Sequence, residues 1–236
     1  AVDAARLASE CGADGIIIQD LGLISAIRRA LPDIPLHAST QMSIHNLAGV
    51  QAAAEMGLTR AVLARELSLE EIAYITKNAP IETEIFVHGA LCFCHSGQCY
   101  MSSLIGRRSG NRGMCAQPCR MQYSLGGRMD DYPMSLKDNC LVDRLREIEE
   151  AGVACIKIEG RMKRPEYTAI VTGIYSKALR EHRQPTTEEM TMLTKAFSRQ
   201  GFTQGYFNGD KKDMFGVRGE PEEGTEKIFT VARRAY

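Results

Sequence analysis

The sequence predicts an α/β fold in which strands and helices alternate, most simply a (β/α)8 TIM-like barrel. Three segments share one pattern, in which a helix ends at a glycine and a short apolar strand follows: ECGADGIII (10–18), EMGLTRAVL (55–63) and EAGVACIKI (150–158). Glycine suits the left-handed position that closes a helix, and unbroken apolar strands suit a parallel sheet covered on both faces. Up to position 90 the strands recur about every 20–25 residues, which is the spacing of βα units.

Further strands fit between these repeats, namely PLHASTQ (35–41), ETEIFVHG (82–89) and YPMSLKD (132–138). Helices separate them, one opened by a capping box from Ser68 to Glu71 and another by Pro165 in its first turn. The six strands are two fewer than a closed barrel contains, so we expect the missing units upstream of Ala1. A doubly wound open sheet is the alternative, because periodicity alone does not close a barrel.

The C-terminal part has a different character. TTEEMTMLTKAFSRQ (186–200) predicts a capped helix, GFTQGYFNGDKKDMFG (201–216) predicts a glycine-rich loop, and the final FTVARRAY predicts the start of a strand. We therefore expect a barrel domain over residues 1–200, with a Cys-rich insertion at 90–131. Residues 201–236 would be a connector and the start of a C-terminal domain. The first residue lies inside a helical pattern, so we expect the chain to be a fragment.

Composition narrows the class of protein only a little. The 236 residues fit one α/β barrel, and 29 Lys and Arg balance 29 Asp and Glu, so whole-chain charge neither favours nor excludes nucleic acid. No apolar run approaches the ~20 residues that span a bilayer, and the start does not resemble a signal peptide. We expect a cytoplasmic protein with no membrane partner. Clustered cysteines in that compartment are more often metal ligands or catalysts than disulfides.

Five of the eight cysteines lie in residues 92–119, CFCHSGQCYMSSLIGRRSGNRGMCAQPC. This segment follows a predicted strand, so it belongs to the C-terminal face of a barrel, where functional groups gather. Cys92 with Cys99, and Cys115 with Cys119, make two pairs that are enough for a four-thiolate site. Zinc and an iron–sulfur cluster both fit such a set, and reactive thiols are a third possibility.

The other cysteines are placed by the predicted elements. Cys94 competes with Cys92, and Cys140 is expected to open a helix at the same face, so spacing excludes neither as a ligand. Cys11 and Cys155 fall at the opposite end of the strands. We assign both to packing, since a reduced cysteine often behaves as a small buried apolar residue.

A longer motif in this region resembles a known protein family. EIFVHGALCFCHSGQCYMS (84–102) is similar to the signature of peptidase family U32, the collagenase-like proteases. Later stretches resemble the same family in the same order: NRGMCAQPCR (111–120), SLKDNC (135–140), KIEGRMKRPEY (157–167) and GFTQGYF (201–207). Together these stretches cover most of the chain.

The resemblance implies one of several activities. Some family members are labelled peptidases, whereas others hydroxylate RNA, including a prephenate-dependent tRNA uridine hydroxylase and a ribosomal RNA cytidine hydroxylase. The hydroxylation relatives carry a 4Fe–4S cluster, and the motif positions that match its ligands are Cys92, Cys99, Cys115 and Cys119. The match in CAQPC (115–119) favours the RNA-modifying branch. We therefore expect iron–sulfur-dependent pyrimidine hydroxylation of tRNA or rRNA, with prephenate as oxygen donor and zinc as the alternative metal.

Two alternatives to the hydroxylase remain. A peptidase would need a catalytic pair such as Cys92 with His95, because the sequence has neither HExxH nor GxSxG. His88 is better explained as a hydrogen-bonded residue at a strand end than as a catalyst. The second alternative is a non-enzymatic Fe–S partner of a homologous subunit, which a family pair serving ubiquinone synthesis exemplifies. No catalytic residue is assigned.

Two sets of charged residues are candidates for substrate contacts. The RNA-binding set surrounds the cysteines and consists of Arg107, Arg108, Arg112 and Arg120, with Arg161, Lys163 and Arg164 after the last strand; a solvated, salt-bridged surface is the alternative. The strand ends at the predicted barrel mouth supply a second set, of which Arg65, Lys157, Glu159 and Arg161 are the substrate-binding candidates. Lys157 and Glu159 share one strand face and would hold a small acid such as prephenate. The alternative is an internal ion-pair network.

Overall fold

In a computed structural model the protein is described over residues 1–160, 163–217, 219 and 223–235, with only the backbone of residues 125 and 128–131. Helices and strands alternate along most of the chain, which confirms the α/β class. The chain forms two compact units. Unit 1 comprises Ala1–Ile85, Cys94–Cys115 and Glu150–Ile156, and unit 2 comprises Phe86–Phe93, Ala116–Glu149 and Lys157–Tyr236. A domain boundary at residue 200 stays a prediction.

Unit 1 is built from a regular succession of helices and strands. The helices are α1 (Val2–Glu10), α2 (Leu21–Ala30), α3 (Leu47–Glu55), α4 (Leu69–Asn78) and α5 (Met101–Gly106), and the strands are β1 (Ile16–Ile18), β2 (Leu36–Ala38), β3 (Arg60–Val62) and the first residues of β4 (Glu82–Ala90). These four strands pair in sequence order, all parallel. The predicted βα rhythm is therefore confirmed in unit 1.

Local signals in the sequence set the ends of these elements. Gly12, Gly57 and Gly152 have φ values of 85°, 82° and 81°, the left-handed conformation that closes each predicted helix. Ser68 and Glu71 form the expected capping box at the start of α4. The helices bury apolar residues three positions apart, such as Ile72 and Ile75 of α4.

Unit 2 combines the end of β4 with later elements. These are β5 (Tyr123–Leu125), β6 (Arg128–Asp131), β7 (Asp138–Cys140), α6 (Leu145–Glu150) except its last residue, the last two residues of β8 (Cys155–Ile158), α7 (Pro165–Arg180), α8 (Thr187–Ala196), β9 (Phe202–Thr203) and α9 (Thr225–Ala235). β5 and β6 form a separate antiparallel hairpin, and β7 pairs with β9 in parallel. β8 pairs with β4, where the amide of Glu159 donates to the carbonyl of His88 at 2.8 Å.

The (β/α)8 barrel is not confirmed. β4 and β7 are antiparallel, with His88 opposite Cys140 and Ala90 opposite Asp138, whereas a (β/α)8 barrel contains only parallel pairs. The strand predicted at 132–138 begins where that prediction ended, so Cys140 lies inside β7 and does not open a helix. The chain reverses because the long segment between β4 and β7 allows β7 to pair from the other direction.

The C-terminal predictions are confirmed only in part. Thr186 caps α8 in a capping box with Glu189, as expected. The expected strand over FTVARRAY is wrong, because Thr225–Ala235 forms α9 and buries Phe229 and Ala232 three positions apart. The expected loop after residue 200 contains β9. Within the described residues, no helix is long and apolar enough to cross a membrane.

Candidate functional site

One face of the β4–β7 ladder in unit 2 carries polar side chains. Directly opposed residues of an antiparallel pair project to the same face, and so do residues two apart on one strand. The register therefore places His88, Asp138 and Cys140 on one face. α7 covers this face, since the ring centroid of His88 lies 5.5 Å from the ring centroid of Tyr175 and 6.1 Å from that of Tyr167.

His88 is fully enclosed, with 1% of its surface exposed. The Tyr175 hydroxyl donates to the Val87 carbonyl at 2.9 Å and accepts from the Leu141 amide at 3.1 Å. Because that hydroxyl proton is already used, Nδ1 of His88 is the donor in its 3.3 Å contact with the Tyr175 oxygen. This bond assigns the proton to Nδ1 and leaves Nε2 as a lone-pair acceptor. The expectation that His88 is a hydrogen-bonded strand residue is consistent with this contact.

The acceptor nitrogen of His88 stays neutral. Burial, followed by the charge of Lys163, lowers the pKa of His88 from 6.5 to about 3. Nε2 is buried and has no hydrogen-bond partner among the residues that the structure describes. A buried nitrogen without a donor is costly, so this atom marks a place where a further group would be stabilised.

Asp138 and Arg199 form a buried ion pair on the same face. Nη1 of Arg199 lies 2.6 Å from Oδ1 of Asp138, and the two residues are 5% and 1% exposed. Oδ2 of Asp138 is buried, and no described residue hydrogen-bonds to it. One half of this carboxylate is therefore a second acceptor without a donor.

Aromatic rings and cations complete the surroundings. Lys163 lies over the ring of Phe197, and the guanidinium of Arg199 lies 4.8 Å from the centroid of the same ring. The Tyr167 hydroxyl donates to the Glu159 carbonyl at 3.2 Å, and burial raises the pKa of Tyr167. We call this set the His88 cluster: His88, Asp138, Lys163, Tyr167, Tyr175, Phe197, Arg199 and Phe202.

Sequence reasoning missed this cluster as a site. It treated His88 alone and placed Lys163 among the RNA contacts. A signal was nevertheless present: the cluster draws on the motif stretches 84–102, 135–140 and 157–167, with Phe202 from 201–207 and Arg199 immediately before it. The motif residues lie far apart in the chain, and only the pairing of the strands shows that they are close together in space.

The cysteines divide between the units, and the structure pairs none of the eight in a disulfide. In unit 1, a Cβ on Gly110 would lie 3.7 Å from Cβ of Cys115 and 3.8 Å from the carbonyl oxygen of Cys99, so the backbone of Gly110 approaches both cysteines. In unit 2, burial and Arg199 lower the pKa of Arg120, while Cys119 and Cys92 act in the opposite direction. Both of these thiols therefore lie within electrostatic range of Arg120.

Four such thiols have the chemistry of a zinc or iron–sulfur donor set. Within the described part of the chain, no three His, Cys, Asp or Glu side chains are already arranged as a metal site. Cys140 lies inside β7 with 1% of its surface exposed, and burial raises the pKa of its thiol to about 11. Cys11, the residue after α1, is exposed, so its assignment to packing is wrong; Cys155 is half-buried.

The first part of the cysteine segment is held to unit 1 by one carboxylate. Oε1 of Glu66 accepts from the Ser96 amide at 2.8 Å, and Oε2 accepts from the Ser96 hydroxyl at 2.6 Å. The Ser96 hydroxyl in turn accepts from the Arg65 amide at 3.1 Å, and the Ser43 hydroxyl donates to the Ser96 carbonyl at 2.8 Å. These hydrogen bonds of Ser96 therefore anchor the segment between Cys94 and Cys99.

The predicted RNA-binding arginines fall into two groups. Arg107, Arg108 and Arg112 are exposed in unit 1, directly after or near α5. The guanidinium of Arg120 instead donates to the carbonyls of Leu91 and Leu136 in unit 2, which gives it a structural role. No aspartate or glutamate occurs in residues 85–129, although the whole chain has equal numbers of acidic and basic residues.

Three of the four predicted substrate-binding residues are described, one in unit 1 and two in unit 2. Arg65 belongs to unit 1, where its amide contacts Ser96. Lys157 and Glu159 belong to unit 2, where the ammonium of Lys157 lies 5.6 Å from the centroid of Phe86. Every residue of β8 is half-buried, so neither face of the strand is fully enclosed. Arg161 lies outside the described residues.

Comparison with known proteins shows one family across the chain. The family model described as "Peptidase family U32" matches residues 1–215. The chain is 39% identical over 231 residues, 95% of its length, to "23S rRNA 5-hydroxycytidine C2501 synthase" of Escherichia coli. It is 40% identical over 177 residues, 70% of its length, to "tRNA hydroxylation protein P1" of Bacillus subtilis. It is 34% identical over 203 residues, 75% of its length, to "Collagenase" of Porphyromonas gingivalis. The chain covers 33%, 42% and 49% of the length of these three relatives.

Proposed function

Because this chain belongs to peptidase family U32, we propose that it takes part in hydroxylating a pyrimidine of tRNA or ribosomal RNA. The observation that carries the proposal is the exposed set Arg107, Arg108 and Arg112 within a segment that has no carboxylate from residue 85 to 129. Such a cationic surface attracts phosphates whatever the charge of the whole chain. The names of two relatives refer to RNA hydroxylation, and this is the reaction that we propose for RNA bound at this surface.

The proposal includes a 4Fe–4S cluster held by the thiolates of Cys92, Cys99, Cys115 and Cys119, with zinc as the alternative metal. The support is the donor chemistry of four cysteines in the motif positions and the approach of the Gly110 backbone to Cys99 and Cys115. When bound, such a cluster supplies one-electron transfer. The hydrogen bonds that Ser96 donates to the Glu66 carboxylate would hold the loop between Cys92 and Cys99 in place.

A small hydroxylated acid, prephenate, is proposed as the oxygen donor. Arg65, Lys157, Glu159 and Arg161 remain the candidate residues for binding it. An RNA substrate fits a cytoplasmic location, which is part of the same proposal.

Peptidase activity is the second candidate, and the similarity to a protein named collagenase favours it. The contacts of His95 and His88 favour peptidase activity less. Nδ1 of His95 lies 3.8 Å from Oε2 of Glu66, and His88 is a neutral, buried ring bonded to Tyr175. A thiol protease needs an imidazole placed to take the proton of its cysteine.

The function is tested by mass spectrometry of tRNA and rRNA nucleosides from a strain that lacks the full-length gene. We expect one hydroxylated pyrimidine to disappear and to return when the full-length gene is restored. Restoration with Arg107, Arg108 and Arg112 all changed to alanine should be incomplete. Unchanged nucleosides, together with peptide cleavage by metal-free protein, would replace the hydroxylase with the peptidase. Restoration that requires a copurifying homologous subunit would indicate the Fe–S partner role.

A further inference from the structure

One arginine side chain joins the two ends of the cysteine segment inside unit 2. The guanidinium of Arg120 donates to the carbonyl of Leu91, the residue directly before Cys92. Arg120 itself follows Cys119 directly in the chain, and all four residues belong to unit 2. A single side chain therefore tethers the backbone beside both cysteines. Spacing alone pairs Cys92 with Cys99, whereas this tether links it to Cys119.

The guanidinium of Arg120 is held in one orientation. Besides the Leu91 carbonyl, it donates to the carbonyl of Leu136 and to Oγ of Ser135 at 3.3 Å. The Ser135 hydroxyl gives its own proton to the Gly216 carbonyl at 2.7 Å, so its oxygen is available as an acceptor. Because a planar guanidinium that donates in several directions has little freedom to rotate, its charge is fixed beside the start of the cysteine segment.

The backbone around Cys119 is held from a second side as well. The Tyr123 hydroxyl donates to the carbonyl of Pro118 at 2.9 Å, and Pro118 is buried. The amide of Arg120 donates to the Gln117 carbonyl at 2.9 Å and closes a short turn over Cys119. Cys119 therefore lies in a segment that is anchored both before and after it.

Arg120 also places a positive charge where the cysteine segment offers no carboxylate. The segment contains neither aspartate nor glutamate, and Oδ1 of Asp138 binds Arg199. Burial and then the charge of Arg199 lower the pKa of Arg120, and Cys119, Asp138 and Cys92 act in the opposite direction. The sulfurs of the two cysteines are therefore the groups of this segment that can balance the guanidinium.

A metal bound by four thiolates forms an anionic site, because the thiolates outnumber the charges of a divalent ion. Nearby charge and hydrogen bonding in turn set the reduction potential of an iron–sulfur cluster. From this geometry we propose that Arg120 is a positioning residue of the metal site, which anchors the backbone beside Cys92 and Cys119 and keeps a positive charge next to their sulfurs. The inference rests on the proposed function in one respect, because it takes these two cysteines as metal ligands.

The test measures the reduction potential and the iron retention of the full-length protein, purified without oxygen. Arg120→Gln removes the charge and keeps a hydrogen-bond donor. We expect its cluster to be harder to reduce, with an equilibrium constant for reduction about tenfold lower, which is a shift of about 59 mV for one electron. Iron should also pass to an added chelator about tenfold faster, as is typical when a residue that orients metal ligands is changed.

Three further variants separate the charge from the anchoring. Arg120→Lys keeps the charge but cannot reproduce the planar fork, so it should keep the potential and still lose iron about tenfold faster. Tyr123→Phe removes the hydroxyl that holds Pro118 without changing any charge and should behave in the same way. Arg180→Gln makes the matched replacement at an exposed position at the end of α7 and should change neither measurement.

Each outcome supports or overturns the inference. An unchanged potential in Arg120→Gln would overturn the role of the charge, and unchanged iron retention in Arg120→Lys and Tyr123→Phe would overturn the anchoring. If the protein holds zinc, both Arg120 variants should bind zinc about tenfold more weakly in competition with a chelator, and equal affinities would overturn the inference. Protein that binds no metal through Cys92 and Cys119 would also overturn it.

The same measurements keep this inference distinct from the RNA function, because neither the potential nor the metal affinity depends on an RNA substrate. The expected metal effects of Arg120, in a protein whose deletion changes no nucleoside, would support the positioning role and refute the RNA function. Loss of a hydroxylated nucleoside on deletion, with no effect of Arg120 on the metal, would leave the RNA function standing and refute the positioning role.

Discussion

Nη1 of Arg199 lies 2.6 Å from Oδ1 of Asp138, and the two residues join the segment before β9 to the first residue of β7 inside unit 2. Both are almost completely buried, so water screens neither charge. Burying both charges costs free energy. Removing one residue of the pair costs more, because the other charge is then buried without an ion-pair partner. Breaking this pair should therefore destabilise the protein.

Asp138→Ala should destabilise the protein by about 3–5 kcal/mol, because it leaves the Arg199 cation buried without its carboxylate. Urea unfolding measures this change. Adding Arg199→Met should recover a large part of the loss, since it removes the stranded charge. Glu147→Ala breaks the partly exposed Arg144–Glu147 pair and serves as control, with an expected loss within about 1 kcal/mol. Equal losses at the two sites would contradict the buried pair.

Acid should destabilise the protein through His88. Its pKa is about 3 in the folded protein and 6.5 in the unfolded chain, so between these values only the unfolded chain takes up the proton. Stability from the neutral ring is present above pH 6.5 and is lost as the pH falls towards 3. At pH 5 the loss is about 2 kcal/mol. The drop in unfolding free energy from pH 7 to pH 5 should be smaller in His88→Phe than in the unaltered protein by this amount. The same drop in both proteins would refute the neutral, buried state of His88.

Glu66 should control the order of the loop that precedes Cys99. Glu66→Ala removes both hydrogen bonds to Ser96, so the Ser96 amide should exchange its hydrogen at least about tenfold faster, as the loss of roughly 1.4 kcal/mol of local protection implies. Hydrogen exchange followed by mass spectrometry measures this. Glu55→Gln, an exposed residue at the end of α3, is the control. Protection that survives in Glu66→Ala would show that other contacts hold the loop.

The cysteines should separate by iron content. Cys92→Ser, Cys99→Ser, Cys115→Ser and Cys119→Ser should each lower the iron bound after anaerobic purification from about four atoms per chain to a small fraction. Cys140→Ser should retain iron, because that side chain is enclosed in β7 with 1% of its surface exposed. Cys11→Ser and Cys155→Ser should also retain iron, and Cys94→Ser decides its position. One stoichiometric zinc in colourless anaerobic protein would refute the cluster.

The arginines should separate by exposure. Arg107→Ala, Arg108→Ala and Arg112→Ala together should weaken RNA binding and reduce the salt dependence of the affinity by about three phosphate contacts, with little effect on the thermal midpoint. Arg120→Ala should instead lower the thermal midpoint, because its guanidinium holds the carbonyls of Leu91 and Leu136. Filter binding over a range of salt concentrations gives the slope. An unchanged slope in the triple variant would assign these arginines to a solvated surface.

Local elements were predictable from the sequence because their causes are local. The capping boxes of Ser68 and Thr186 join residues three apart, and Gly12, Gly57 and Gly152 adopt a backbone conformation that glycine alone enters cheaply. The final helix was not predictable in this way. FTVARRAY contains β-branched and aromatic residues that also suit a strand. α9 packs against α7 and α8 and buries Phe229 and Ala232, and these are contacts with distant segments of the chain.

The sequence by itself determined the α/β class, the family motif and the types of side chain available, since thiols, arginines and glycines are properties of single residues. Only the tertiary structure decided that β7 runs antiparallel to β4 and that Cys140 is buried while Cys11 is exposed. It alone placed His88, Asp138 and Arg199 together, although up to 111 positions separate them in the printed sequence. The physical reason is that strand pairing and burial depend on contacts between distant segments, whose free energies no local pattern contains.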